Sequence, residues 1–151
     1  MQPSRLMPRE EHPIIHPEER RYTGGCHCGR IRFAFSARAT ELTECNCSIC
    51  RAKGALWLPI RAEALEVIAR ADDVQVYRFG TCTAEHSFCR ACGIHPYVKP
   101  RILPQLRMVN AHCVDDPAVE TLPRRAFDGR DFERAAEALM AEIASRRRAA
   151  G

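Results

Sequence analysis

Cys45-Asn46-Cys47-Ser48-Ile49-Cys50 places three thiols within six residues, in a C-x-C-x-x-C spacing. Two more clusters flank it, Cys26-His27-Cys28 upstream and Cys89-Arg90-Ala91-Cys92 downstream. Cysteines two residues apart are poorly placed to bond each other as disulfides, but they readily bite one ion. Seven of the nine cysteines fall in these clusters, and only Cys82 and Cys113 stand apart. The N-terminal stretch MQPSRLMPREEHPIIHPEERR is polar and lacks the apolar segment of a secretory signal. A cytoplasmic, reducing setting is therefore expected, where clustered thiols serve metals and not disulfides.

The segments around the clusters read as short strands. Arg30-Ile31-Arg32-Phe33-Ala34-Phe35-Ser36 alternates, which puts Ile31, Phe33 and Phe35 on one face. Ala55–Ile60 is a short apolar run that suits a buried strand. Leu65–Ile68 and Val74–Phe79 follow, separated by a charged turn at Asp72-Asp73. Glu85–Phe88 runs into the C-x-x-C, and Leu106–Ala111 is a further strand. Phe132, Ala135, Ala136, Leu139, Met140 and Ile143 recur at helical spacing. They predict one C-terminal helix, with Asp131 as its N-cap and Glu142 and Arg146 as an i,i+4 pair. Residues 1–21 carry Pro3, Pro8, Pro13 and Pro17 among charges and read as an extended arm, with Ile14 and Ile15 available to dock. The folded domain is expected over 22–135, with the helix and a basic tail over 131–148.

The remaining composition narrows the function classes. The chain has 151 residues, 46% hydrophobic and 28% charged, which suits one globular domain. No apolar run approaches the ~20 residues of a membrane span. The net charge of +4 is mild, and Arg146-Arg147-Arg148 is too short a run to predict a nucleic-acid partner.

Structural zinc takes four ligands in a closed tetrahedron, commonly four thiolates. Cys26, Cys28, Cys89 and Cys92 supply such a set, and joining them closes a loop of roughly sixty residues. Gly29 and Gly93 each follow a pair, and the expectation is that glycine lets the chain turn sharply beside the metal, where a side chain would crowd it. Cys45, Cys47 and Cys50 supply three ligands. An open fourth position is the arrangement of catalytic zinc. Three thiolates leave such a site net negative and soft, suited to a substrate thiolate that then adds to an aldehyde carbonyl. The competing arrangement is a closed site with Cys82, Cys113, His86 or His112 as fourth ligand.

Three stretches together resemble the glutathione-dependent formaldehyde-activating enzyme family, which includes centromere protein V. They are Gly24-Gly25-Cys26-His27-Cys28-Gly29-Arg30-Ile31-Arg32-Phe33, Cys45–Gly54, and His86-Ser87-Phe88-Cys89-Arg90-Ala91-Cys92-Gly93. Pro100-Arg101, Asn110–Cys113 and Phe127-Asp128-Gly129-Arg130-Asp131-Phe132 extend the likeness over about 22–135. The resemblance implies a mainly β fold, a zinc-binding β-tent of short antiparallel strands. It implies two Zn²⁺ per chain, a structural one on Cys26, Cys28, Cys89 and Cys92 and a catalytic one on Cys45, Cys47 and Cys50. It also implies a carbon–sulfur lyase that joins a thiol, glutathione in the founding enzyme, to formaldehyde.

Other residues carry weaker signals. His27, between two ligands, is expected to point away from the metal. His86 reads first as a strand residue, with a base or ligand role as the alternative, and His95 lies close enough to Cys92 to approach the metal. Lys99 and Arg101 are candidate carboxylate anchors by charge alone. Trp57 is a core residue or an aromatic wall beside the Cys45–Cys50 turn. Cys82 and Cys113 read as free buried thiols. Two functions from different classes follow: a zinc enzyme acting on a thiol and an aldehyde or their adduct, and a non-catalytic zinc scaffold or interaction domain. A third, thiol–disulfide exchange at Cys89 and Cys92, requires that pair to be metal-free.

Overall fold

The computed structural model describes residues 18–151. Most of the expected arm, with Ile14 and Ile15, lies outside the described residues. The first strand, β1 (Arg20–Gly25), starts within the segment assigned to the arm and pairs antiparallel with β2 (Arg32–Ala37). β2 also pairs with β5 (Glu66–Ile68), giving a three-stranded sheet.

The larger sheet has seven strands in the order β10-β3-β4-β9-β8-β7-β6. They are β3 (Leu42–Cys45), β4 (Trp57–Arg61), β6 (Val74–Tyr77), β7 (Glu85–Cys89), β8 (Tyr97–Lys99), β9 (Leu106–Asn110) and β10 (Arg124–Phe127). The mainly β fold of short strands is thus observed, with one departure from antiparallel pairing among the described strands. β10 runs parallel to β3, with Phe127 opposite Cys45. The chain reaches that register after β9 through two short 3-10 turns, Ala111–Cys113 and Pro117–Thr121.

The main core lies between the sheets. Tyr22, Phe33 and Phe35 come from the small sheet, and Leu42, Leu58, Ile60 and Val109 from the large one. Tyr22 stacks on Phe35 at 5.2 Å between ring centroids. Burying each such side chain contributes about 1.5–3 kcal/mol. Ile31, expected on the same strand face, precedes β2 and is instead buried against Cys26 and Cys89.

Two helices complete the chain. α1 (Ser48–Lys53) is a single short helix inside the middle cysteine cluster. α2 (Phe132–Ala150) is the predicted C-terminal helix. Asp131 precedes it, but its side chain makes no capping hydrogen bond. Glu142 pairs with Arg146 at 2.6 Å as expected, and it also accepts from Arg125 of β10. Phe132 packs edge-on against Phe127. The apolar stripe is only partly covered, since Met140 is 47% exposed. No helix among the described residues is long and apolar enough to cross a membrane.

Candidate metal centres

The outer cysteine pairs sit on two matching turns. Cys26 leaves β1, its N–H donates to the Ile31 carbonyl at 2.9 Å, and the Ile31 N–H points back at Cys26 Sγ at 3.3 Å. Cys89 ends β7, its N–H donates to the Ile94 carbonyl at 2.8 Å, and the Gly93 N–H donates to the Cys89 carbonyl at 2.8 Å. Gly29 and Gly93 adopt φ +78° and +76°. A Cβ added at either would meet nothing within 4 Å. The expected crowding is therefore not the reason for these glycines; the left-handed turn is.

The four sulfurs converge across the sheets. All lie within 4.8 Å of one another. Cys28 Sγ is 3.6 Å from Cys26 Sγ and 3.6 Å from Cys89 Sγ. Zinc–sulfur bonds of about 2.3 Å put tetrahedral sulfur–sulfur edges at about 3.8 Å, whereas a disulfide needs about 2.05 Å. The donor set therefore fits a closed four-thiolate zinc and not a bridge. Asp73 braces both turns: its carboxylate accepts from Arg30 at 3.3 Å, and its carbonyl accepts from the Arg90 N–H at 2.9 Å.

The middle cluster is local. Cys45 ends β3, Cys47 is the N-cap of α1, and Cys50 lies in the helix's first turn. N-cap and third helical position share one side of a helix start, which explains the C-x-x-C bite. The three sulfurs lie within 4.8 Å of one another. The segment after β10 clamps them. Asn46 donates to the Asp128 carboxylate at 2.9 Å and accepts from the Arg130 N–H at 3.1 Å. A Cβ at Gly129 would fall 2.6 Å from Cys47 Cβ and 2.7 Å from Cys45 Sγ, so only glycine allows this approach. The Cys50 thiol, and then the Cys47 and Gly129 N–H groups, draw Cys45 below the ordinary thiol range despite burial, while Cys50 is pushed up. The two shifts are opposite sides of one thiol–thiol hydrogen bond, with Cys45 as acceptor and Cys50 as donor.

No fourth ligand joins these three among the described residues. Cys82, expected to be buried, instead sits in an exposed loop, its thiol 3.8 Å from the Gly80 carbonyl. Cys113 lies toward the four-thiol cluster, where burial, and then Cys26 and Cys92, push its thiol up to about 12. His112 pairs with Glu120 at 3.1 Å. His86 stacks on Phe79 and lies edge-on to His95.

Trp57 is both core and wall: it is buried, and its indole N–H donates to Cys50 Sγ at 3.2 Å. His27 is exposed. Lys99 pairs with Glu85 at 3.7 Å and Arg101 with Glu133 at 2.5 Å, so both carry a carboxylate partner already. A groove of about 510 Å³ opens at the start of α1, lined by Asn46, Ser48, Arg51, Ala52 and Arg130, with none of the three thiols in its lining. Sequence reasoning passed over Arg51 and Arg130. Their signal was position, one directly after Cys50 and one in the Phe127–Phe132 stretch.

Comparison with known proteins agrees with this geometry. A crystal structure of a Rhodobacter sphaeroides protein, a structural-genomics target, is similar at 32% identity and a TM-score of 0.57. The match covers 68% of this chain and 99% of that one. The family model described as glutathione-dependent formaldehyde-activating enzyme matches residues 21–127, which include all seven clustered cysteines. The chain belongs to the glutathione-dependent formaldehyde-activating enzyme family.

Proposed function

We propose that the chain is a carbon–sulfur lyase-type enzyme that joins a carboxylate-bearing thiol to formaldehyde or another small aldehyde, and splits the adduct in reverse. Glutathione is the thiol the family name supplies. The observation that carries this reading is the three-thiol set of Cys45, Cys47 and Cys50 beside a groove bearing two guanidinium groups. Cys26, Cys28, Cys89 and Cys92 would hold the structural zinc, and Cys45, Cys47 and Cys50 the second. That second zinc, when bound, would keep a substrate thiol deprotonated near neutral pH. Arg51 and Arg130, which form no ion pair among the described residues, would orient the thiol through its carboxylates. The thiolate sulfur would then add to the carbonyl carbon while the oxygen takes a proton from solvent. A reducing compartment such as the cytoplasm suits seven thiolate ligands.

The test is adduct formation and cleavage by the zinc-loaded protein, followed by NMR exchange spectroscopy with formaldehyde. The thiols compared are glutathione, the neutral mercaptoethanol and the cationic cysteamine. Acceleration is expected with glutathione. Arg51→Met or Arg130→Met should each raise its KM about tenfold, as loss of a charged hydrogen bond does, without changing mercaptoethanol. A fully zinc-loaded protein that accelerates none of the three would overturn the enzymatic reading and favour a scaffold.

A further inference from the structure

The seven-stranded sheet ends on two edges of different character. At one edge, β10 carries Arg124 and Arg125, paired with Glu44 and Glu142. At the other, β6 reads Val74-Gln75-Val76-Tyr77, with no charge and no proline. Charges and prolines are the usual devices that keep a strand edge from pairing with another chain. Gln75, Val76 and Tyr77 are exposed in succession, so β6 is open on both faces as well as along its edge. Five of the seven large hydrophobic side chains exposed among the described residues fall between positions 67 and 79: Val67, Ile68, Val76, Tyr77 and Phe79. Tyr77 and Phe79 stack on each other at 5.6 Å between ring centroids. The Arg90 N–H donates to the Asp73 carbonyl at 2.9 Å, and Val74 lies opposite Cys89 in the same ladder. Backbone groups alternate in direction along a strand. Asp73, Gln75 and Tyr77 therefore turn theirs toward β7, and Val74 and Val76 turn theirs to the free edge.

We propose that β6 is a dimer interface, where a second copy of this chain adds its own β6 antiparallel across a two-fold axis at Gln75. A two-fold axis presents the same patch on both copies, and residues opposite each other in a ladder must share a face. With the axis at Gln75, Val74 of one copy faces Val76 of the other, and the reverse. These are the residues whose backbone groups point outward, so each such pair exchanges two hydrogen bonds. Extending the register by two residues sets Asp72 of one copy opposite Arg78 of the other, and this contact also occurs twice. Asp72 is exposed and forms no ion pair among the described residues. Arg78 meets Glu85 at 3.1 Å but its side chain is 46% exposed. A guanidinium has five N–H donors, enough for a second carboxylate. This charge match singles out a second copy as the occupant, because the segment 72–78 is complementary to its own inverted self. Moving the axis to Val76 would set Asp72 opposite Gly80 and Arg78 opposite Val74, and both charge pairs would be lost. Cross-strand Val74–Val76 contacts add apolar burial between the charges. The assembly joins the two large sheets into one.

The test is sedimentation equilibrium of the zinc-loaded full chain at concentrations up to about 1 mM, with Tm and zinc content read on every variant. The wild-type chain is expected to dimerise. Asp72→Arg and Arg78→Asp each set like charges against each other at both contacts, so each should raise the dimer Kd at least about tenfold. Mixed in equal amounts, the two single variants restore opposite charges at both contacts and should form a heterodimer with near wild-type Kd. Val76→Pro removes an N–H that the single chain does not use, so it should abolish the dimer with little change in Tm. In amide hydrogen exchange, Val74 and Val76 should slow as concentration rises, while Gln75 and Tyr77 are equally protected at every dilution. A wild-type chain that stays monomeric over the whole range would overturn the proposal. A dimer that all the variants leave intact would place the interface elsewhere and overturn it too. Recovery in the mixture decides the register even where Val76→Pro fails to fold, and no recovery would sink it. Slow exchange at Val74 and Val76 at every dilution would mean that another segment of the same chain covers the edge, which also overturns the dimer.

Discussion

The two cysteine clusters use the same side chain for different ends. The four-thiol cluster draws on residues 61 positions apart, from two turns that close on each other across the sheets. The three-thiol cluster is built within six residues, at one strand end and one helix start. A long-range set cross-links the fold, so metal binding there is folding free energy. A short-range set constrains little chain. The Gly129 contact and Trp57 meet its thiols, and a groove lined by Asn46, Ser48 and Arg51 opens at the same helix start. On the proposed division of labour, ligand number alone would not separate a structural from a reactive centre. The span of chain between the ligands, and what surrounds them, would.

The sharpest way to break that contrast is one serine in each cluster. Cys89→Ser should remove most of the ~10–16 kcal/mol that a structural zinc can contribute, leaving no cooperative thermal transition by calorimetry. Cys47→Ser should keep the transition within about 5 °C of wild type, lose one zinc by elemental analysis, and lower turnover at least about 100-fold. Equal loss of folding in both would erase the distinction.

A matched glycine pair tests the surroundings more finely. Gly129→Ala drives a Cβ into Cys45 and Cys47, so it should weaken the more labile zinc about tenfold or more in a chelator titration, with little change in Tm. Gly93→Ala meets no atoms but keeps φ +76°, so it should cost about 1–2 kcal/mol of stability and leave the labile zinc untouched. The reverse pattern would mean that the clamp after β10 serves folding and not the three-thiol centre.

Particular elements show how far the sequence reading reached. The strands at 32–37 and 57–61 were legible from their apolar residues, that at 85–89 from its place before the C-x-x-C, and the C-terminal helix because its stripe keeps one period. Helix α1 was not, since six residues cannot display a helical period. The parallel pairing of β10 with β3 was also hidden, because strand direction depends on the route of the chain between them. Arg101 and Lys99 looked like anchors on charge alone, but nearby carboxylates hold them.

By itself the sequence determined the clustered thiols that could hold metal, the family and the mainly β class. Short ligand spacings are set by local chain geometry, which hardly varies with context. Only the tertiary structure decided that no described side chain completes the three-thiol set, and that Arg51 and Arg130 share a groove. Those arrangements join residues far apart in the chain. Their proximity comes from sheet order and packing, for which no local pattern in the sequence stands as a sign.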